Sequence, residues 1–409
     1  MIAPAHAEIG GDAYVYEVLA TDRPRIRLIT VWQGVRRASY PHRSTESDEI
    51  LCTIKTFDVD KAPSYIALSY SWGKPILLHT IRLNGRRYII RENLFDFLKA
   101  FGASDIGQQN HCLWIDQLCI DQSNTRERNH QVSMMADIYR NGQFVISWLD
   151  RSCSEAFRYV ATGHLSRDEK RVRTITVLSN QYFSRLWVVQ EFLLANDVRF
   201  MCGDAWIHYT LLQRHAHALN WRFPSIECYN AYNLIDSRKE LLTSRTNLVD
   251  VLNHGSVLRC EDSRDQVYGL LGIVDSSQHV PEVNYHDSIE QVYLDTIRII
   301  LTEGQNQTVD VILGCAERLG ENMCLPDKHQ RAIRELLEDI RMRDTDEVNN
   351  LYKSLPCPII HAIGVEPPES PVEWWYEHQG LRYSFPVQSD ADQSSQNSSY
   401  SRSQQHGAT

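Results

Sequence analysis

The chain has 409 residues, 43% hydrophobic and 23% charged, with 42 Lys+Arg against 52 Asp+Glu. That length and mix describe a globular protein with room for two domains. The formal charge of −10 argues against nucleic acid or an anionic membrane as the main partner, because phosphate binding needs a basic surface.

No apolar run approaches the roughly 20 residues of a membrane span. The N-terminal MIAPAHAEIGG lacks the basic and apolar regions of a secretory signal. Ten cysteines are too dilute for a disulfide scaffold, and none form CxxC. A cytoplasmic, reduced protein is the simplest expectation.

After an extension over 1–24, Arg25–Val31 alternates charged and apolar residues, as a half-buried strand does. Tyr65–Tyr70 is a compact apolar strand that ends before Gly73 and Pro75. Thr80–Leu83 and Arg87–Ile90 flank Asn84-Gly85, a strong hairpin signal. Asn93 is the expected cap of a short helix carrying Leu94, Phe97, Leu98 and Phe101.

Cys112–Ile115 reads as a buried strand closing on Asp116. A helix over about 125–141 places Val132, Met135, Ile138 and Tyr139 on one face, and Gly142 stops it. Phe144–Leu149 is the next buried strand, so a parallel strand–helix–strand crossover is expected. Residues 150–173 have the composition of a polar insertion. A helix begins within Tyr182–Ala195 with Ser184 as its expected N-cap, and the strand Val198–Cys202 ends at Gly203.

The second half has helical periodicity. Ser288 with Gln291 opens one helix that Gly304 should end, and Ile333, Leu336, Leu337 and Ile340 mark another over 329–343. Trp374-Trp375-Tyr376 is expected to plug into a core. From Gln388 the Ser/Gln-rich chain has no apolar period and is expected to be disordered.

Few motifs carry chemistry. His208, His215 and His217 cluster in sequence without recurrent zinc-ligand spacing, so no metal site is expected. Neither Cys112 nor Cys119 can be placed against His111 or His130, and buried structural thiols are the plainer reading. Neither GxGxxG nor GxxxxGK[ST] occurs. Asp116 stands at a strand end, the edge where open α/β sheets bind ligands. Asp121 and Glu127 fit loop and cap chemistry. Glu191 is the only charge between Arg185 and Asp197, and a carboxylate among such neighbours is either used or paired, with Arg185 the nearby candidate.

Three segments together carry a resemblance. Tyr65–Gly73 (YIALSYSWG), Leu113–Gln122 (LWIDQLCIDQ) with Glu127-Arg128 and Ile138-Tyr139, and Tyr182–Glu191 (YFSRLWVVQE) with Cys202-Gly203 resemble the signatures of the fungal heterokaryon incompatibility (HET) domain. A weaker likeness continues at Asp262–Gly272 (DSRDQVYGLLG), where the family usually has Pro in place of Ser263. The resemblance implies a role in fungal non-self recognition and programmed cell death. It also implies a similarity to Toll/interleukin receptor-type (TIR) domains, hence a flavodoxin-like parallel sheet flanked by helices. The resulting division is a HET domain at 25–203, a mainly helical region at 204–387 and a tail at 388–409.

Carried over residue by residue, the TIR likeness makes Glu191 the catalytic candidate for NAD cleavage. Ser69, Tyr70, Trp72, Gly73, Asp116 and Trp187 become candidates for binding the dinucleotide as a substrate, with no resident cofactor. The alternative is a non-enzymatic module that self-associates or recruits a partner signalling protein. Hydrolase chemistry at Cys119 is a third, weaker reading.

Overall fold

Six of six residues in Tyr65–Tyr70 are buried, as befits a strand covered on both faces, and the sheet is built around it. The computed structural model describes residues 12–33, 49–163, 166–219, 223–241, 246–303 and 308–341. The expectations for Gly304, Trp374-Trp375-Tyr376 and the tail from Gln388 lie outside them.

In chain order the first half comprises β1 (Arg25–Gln33), β2 (Ile50–Asp58), β3 (Tyr65–Tyr70), β4 (Leu78–Leu83), β5 (Arg86–Arg91) and helix α1 (Glu92–Ala103). There follow β6 (Cys112–Trp114), α2 (Asp116–Cys119), α3 (Thr125–Asn141) and β7 (Val145–Trp148). Helices α4 (Ser154–Thr162), α5 (Arg167–Leu178) and α6 (Val188–Leu193) precede β8 (Val198–Cys202) and β9 (Ala205–His208). The remainder is helical: α7 (Tyr209–His217), α8 (Ile226–Leu241), α9 (Leu248–Gly255), α10 (Asp265–Tyr268), α11 (Ile289–Glu303), α12 (Val309–Asn322) and α13 (Asp327–Arg341).

Among the described residues the strands form one sheet in the order β5-β4-β2-β1-β6-β3-β7-β8-β9. Strands β6, β3, β7 and β8 run parallel. By chain order they stand second, first, third, fourth, the flavodoxin-like arrangement. The parallel strands expected from sequence form the centre of a mixed sheet. On one side β1 joins β6 antiparallel and pairs with β2 over its whole length, and on the other β8 turns back into β9. Strands β1 and β9 can be antiparallel because they do not need a helical crossover.

The Asn84-Gly85 hairpin forms as expected, with φ of 50° and 79°. Two positive-φ residues are what a tight two-residue turn between right-twisted strands requires. Helix α3 also forms, capped by the Asn124 side chain and ended at Gly142.

Three local expectations are corrected. Asn93 does not cap α1; its Nδ2 donates to Ser71 O (2.6 Å) and its Oδ1 accepts from Trp148 Nε1 (2.8 Å). A buried indole and a loop carbonyl need those partners more than an exposed helix end does. Ser184 does not cap α6; it closes a 3₁₀ turn, Gln181–Ser184, capped by Asn180, and α6 starts only at Val188. Residues 150–173 hold helices: α4, and α5 with a complete Ser166–Glu169 capping box.

Two apolar cores result. The first follows the sheet from Ile26 to Ile235. The second gathers Leu186 with Val249, Leu252, Val267, Leu270, Tyr293, Ile297, Leu313 and Met323. Trp187 and Val189 pack against both, so the α6 segment is shared.

Glycines make that junction close. A Cβ on Gly269 would lie 2.5 Å from Leu186 Cδ2, and one on Gly272 would lie 2.6 Å from Ala136 Cβ and 2.8 Å from Gln190 Oε1. Gly272→Ala should therefore wedge α3 from α6 and cost about 1–3 kcal/mol, the usual cost of overpacking. Urea unfolding would show it as a lower midpoint with an unchanged slope. An unshifted midpoint would mean that the junction yields freely.

Candidate active site

Two hydroxyls interrupt the central parallel strands. Ser69 of β3 and Ser147 of β7 are register partners and fully buried. Being side by side on adjacent strands, they face the same way. Tyr182, in the 3₁₀ turn before α6, lies across them, with its hydroxyl 2.8 Å from each serine oxygen. Ser69 Oγ also hydrogen-bonds Glu191 Oε2. A line of oxygens thus runs from Glu191 through Ser69 and Tyr182 to Ser147.

Ser69 donates to the Glu191 carboxylate, and the Tyr182 hydroxyl bridges the two serines. Each of the three hydroxyls carries one proton, so all three contacts are satisfied with the carboxylate ionised.

Glu191 is 2% exposed, and burial pushes its carboxyl up to about 7. Arg185, with Nη1 3.8 Å from Glu191 Oε2, pulls it down without cancelling desolvation. Hydrogen bonding from Ser69 and Tyr139 also lowers it. Arg185 Nη1 donates to Tyr70 O as well, and the guanidinium is held charged by Glu191 and Asp116 against the cost of burial.

Asp116 opens α2 just beyond β6. It accepts from Trp72 Nε1 (2.7 Å) and from the Gln117 amide (2.7 Å). Burial raises its carboxyl above the usual range, with Arg185 and the Trp72 bond opposing. Tyr70 OH donates to Gln117 Oε1 (3.1 Å). The Trp72 ring lies under Arg91, 5.2 Å from guanidinium carbon to centroid, and Arg91 Nη1 donates to Gly73 O (2.7 Å). The φ of +73° at Gly73 favours glycine at this bend.

Ser69, Tyr70, Trp72, Gly73, Asp116 and Glu191 are thus brought to the carboxyl ends of β3 and β6, with the Arg185 charge acting on both carboxylates. Trp187 goes elsewhere: its indole N–H meets Asp265 Oδ2 at 3.1 Å. Tyr285 OH donates to the other oxygen of Asp265 at 2.5 Å. Burial raises the Asp265 carboxyl to about 6. Trp187 therefore links α6 to the Asp262–Gly272 segment.

Reading the sequence missed Ser147, Tyr139 and the bridging role of Arg185. Ser147 carried a signal, as the only hydroxyl in the run Phe144–Leu149. Glu127, read as loop and cap chemistry, does accept from the Asp121 amide, and it is also the buried partner of Arg27.

Other candidates are absorbed by ordinary bonding. Cys119 is fully buried and its thiol is pushed up to about 12 by burial, the setting of an inert thiol. His208 caps α7 and meets Asp197 (2.7 Å), and His217 meets Asp236 (2.6 Å). Among the described residues no three metal-ligating side chains converge, and no helix is long and apolar enough to cross a membrane.

A family model described as "Heterokaryon incompatibility protein (HET)" matches residues 65–191, from the first residue of β3 to Glu191 itself. Over these residues the chain is similar to the HET family. The matched stretch begins on the strand bearing Ser69 and ends on the carboxylate that Ser69 contacts. "Heterokaryon incompatibility protein 6, OR allele" of Neurospora crassa is 24% identical over 384 residues, covering 71% of this chain. The chain spans 54% of that relative's length, about half. No solved structure matches the chain.

Chemically, the site is a water-poor enclosure with two carboxylates, one cation and a hydroxyl relay. A carboxyl near 7 changes charge around neutrality, the range useful to an acid or base. Ionised in such surroundings, it stabilises positive charge far better than in water.

Proposed function

We propose that the chain acts in heterokaryon incompatibility, in non-self recognition leading to cell death, with the Glu191 network as the chemical centre of its HET domain. The observation that carries this reading is the meeting of Ser69, Arg185 and Glu191 at the carboxyl edge of a flavodoxin-ordered sheet, the edge where such sheets take nucleotides. The reaction it favours is cleavage of the nicotinamide–ribose bond of NAD. That C–N bond breaks with its electrons leaving on nicotinamide, which departs neutral. Positive charge develops on the ribosyl group, the Glu191 carboxylate offsets it, and water completes hydrolysis. The pyridinium is already a good leaving group, so one carboxylate suffices.

A second reading has its own observation. Glu191 is buried, and neither the surface cleft lined by Phe223, Ile226 and Tyr229 nor that lined by Ser152 and Asn180 is lined by it. Catalysis requires the chain packed around Glu191 to open. A HET domain that never opens would signal by self-association or by binding a partner protein.

The test is nicotinamide release from NAD by the full chain, under dilute and assembling conditions. Wild type should release it, and Glu191→Gln should be at least about 100-fold slower, the usual loss of a charge-stabilising group. Equal inertness of both under assembling conditions overturns the enzymatic reading. Cell death on expression that survives Glu191→Gln selects the signalling module.

A further inference from the structure

Away from the Glu191 network, two thiols face each other at the ends of neighbouring strands. Cys153 and Cys202 sulfurs are 4.0 Å apart, both side chains are 2% exposed, and both are free. Cys202 ends β8, and Cys153 closes the 3₁₀ turn Arg151–Cys153 that follows β7. Strands β7 and β8 are parallel neighbours, and Leu149 N continues the ladder to Met201 O at 2.9 Å. The backbone beneath the two thiols is thereby held in register. Both sulfurs also turn to one carbonyl, Asp150 O, at 3.7 Å from Cys153 and 3.3 Å from Cys202.

Burial alone would make such thiols inert. Two further features set them apart. Cys153 forms part of the wall of a surface cleft with Ser152, Ile175, Ser179 and Asn180, so only a small movement separates that residue from solvent. A disulfide needs the sulfurs about 2.05 Å apart, so each has to move by only about 1 Å from its present place.

We propose that Cys153 and Cys202 form a redox-modification site, a dithiol that hydrogen peroxide converts to an intramolecular disulfide. The Cys153 thiolate attacks one peroxide oxygen, the O–O bond breaks, and the departing hydroxide takes a proton to leave as water. The resulting sulfenic acid is attacked by the Cys202 sulfur, its S–O bond breaks, and a second water leaves. Two thiols and one peroxide become one disulfide and two waters, the sulfurs supplying both electrons. The site also touches the relay described above. Asn180 Nδ2 lies 3.4 Å from Cys153 Sγ, while Asn180 Oδ1 accepts from the Tyr182 amide at 3.0 Å.

The experiment treats the native full chain with hydrogen peroxide, alkylates remaining thiols under denaturing conditions, and maps the peptides by mass spectrometry. Exposed Cys324 serves as the internal control for oxidation. The expected result is loss of alkylation at both Cys153 and Cys202, a peptide cross-link between them, and its removal by dithiothreitol. Cys202→Ser should lose the cross-link and let a Cys153 sulfenic acid be trapped by dimedone. Full alkylation of both cysteines in wild type, under peroxide that oxidises Cys324, overturns the proposal. So does a cross-link that forms only after denaturation.

Discussion

Glu127→Ala should lower the free energy of unfolding by about 3–5 kcal/mol, the cost of stranding a buried charge. Arg27 and Glu127 are 2% and 1% exposed. The guanidinium meets both carboxylate oxygens, at 2.5 and 3.0 Å. It also donates to Cys119 O (3.0 Å) and Glu17 O (2.7 Å), with its carbon 4.9 Å from the centre of the Tyr16 ring. Glu127 Oε1 accepts from the Asp121 amide at 2.7 Å. One ion pair therefore gathers β1, the α2–α3 loop and the segment before β1. Removing Glu127 leaves Arg27 charged in an apolar setting, and burial of an unpaired charge is the larger penalty.

The same logic predicts a smaller loss for the pair replaced together. Arg27→Met with Glu127→Leu removes both charges and retains volume, so it should cost less than Glu127→Ala alone. Urea or guanidinium unfolding of wild type and the two variants decides the matter. A loss below about 1 kcal/mol for Glu127→Ala would place the pair with weak surface bridges.

The second expected result is a difference in pH dependence between wild type and Glu191→Gln. Burial holds the folded carboxyl at about 7, against 4.5 ordinarily. The folded state then binds the proton more tightly than the unfolded chain. The resulting stability is fully present below about 4.5, falls as pH rises toward 7, and is gone above it. At about 1.4 kcal/mol per pH unit, the fall across that window is of order 3 kcal/mol.

Glutamine has the shape of the protonated acid and can donate to Ser69 at any pH. Glu191→Gln should therefore lack the fall, and its stability relative to wild type should rise between pH 4.5 and 7. Asp265, raised to about 6, contributes in the same direction in both proteins and cancels in the difference. Parallel stability curves would show that Glu191 ionises as an ordinary carboxylate.

Much of the fold was legible where local signals were dense. Strands β3, β6 and β7 are short apolar runs ended by turn residues or polar loops, and α3 has both apolar period and a glycine stop. The Asn84-Gly85 hairpin was legible from two residues. Strand β9 was missed because four residues at a sheet edge carry too little pattern. Helices α4 and α5 were missed because charge on their outer faces diluted the apolar period, although Ser166 and Glu169 spelled a capping box. Glu191 stood out in sequence because a lone charge in an apolar run has to be used or paired.

What the sequence by itself determined is the HET signature, its order along the chain, and the singular position of Glu191. Only the tertiary structure decided which partners those residues have. Arg27 and Glu127 are 100 residues apart, and Ser69 and Glu191 are 122 apart. Local periodicity reports which face of an element is buried, not what lies across from it. A buried charge takes its partner from whichever strands and helices the chain packs together, and that choice is made by the whole fold.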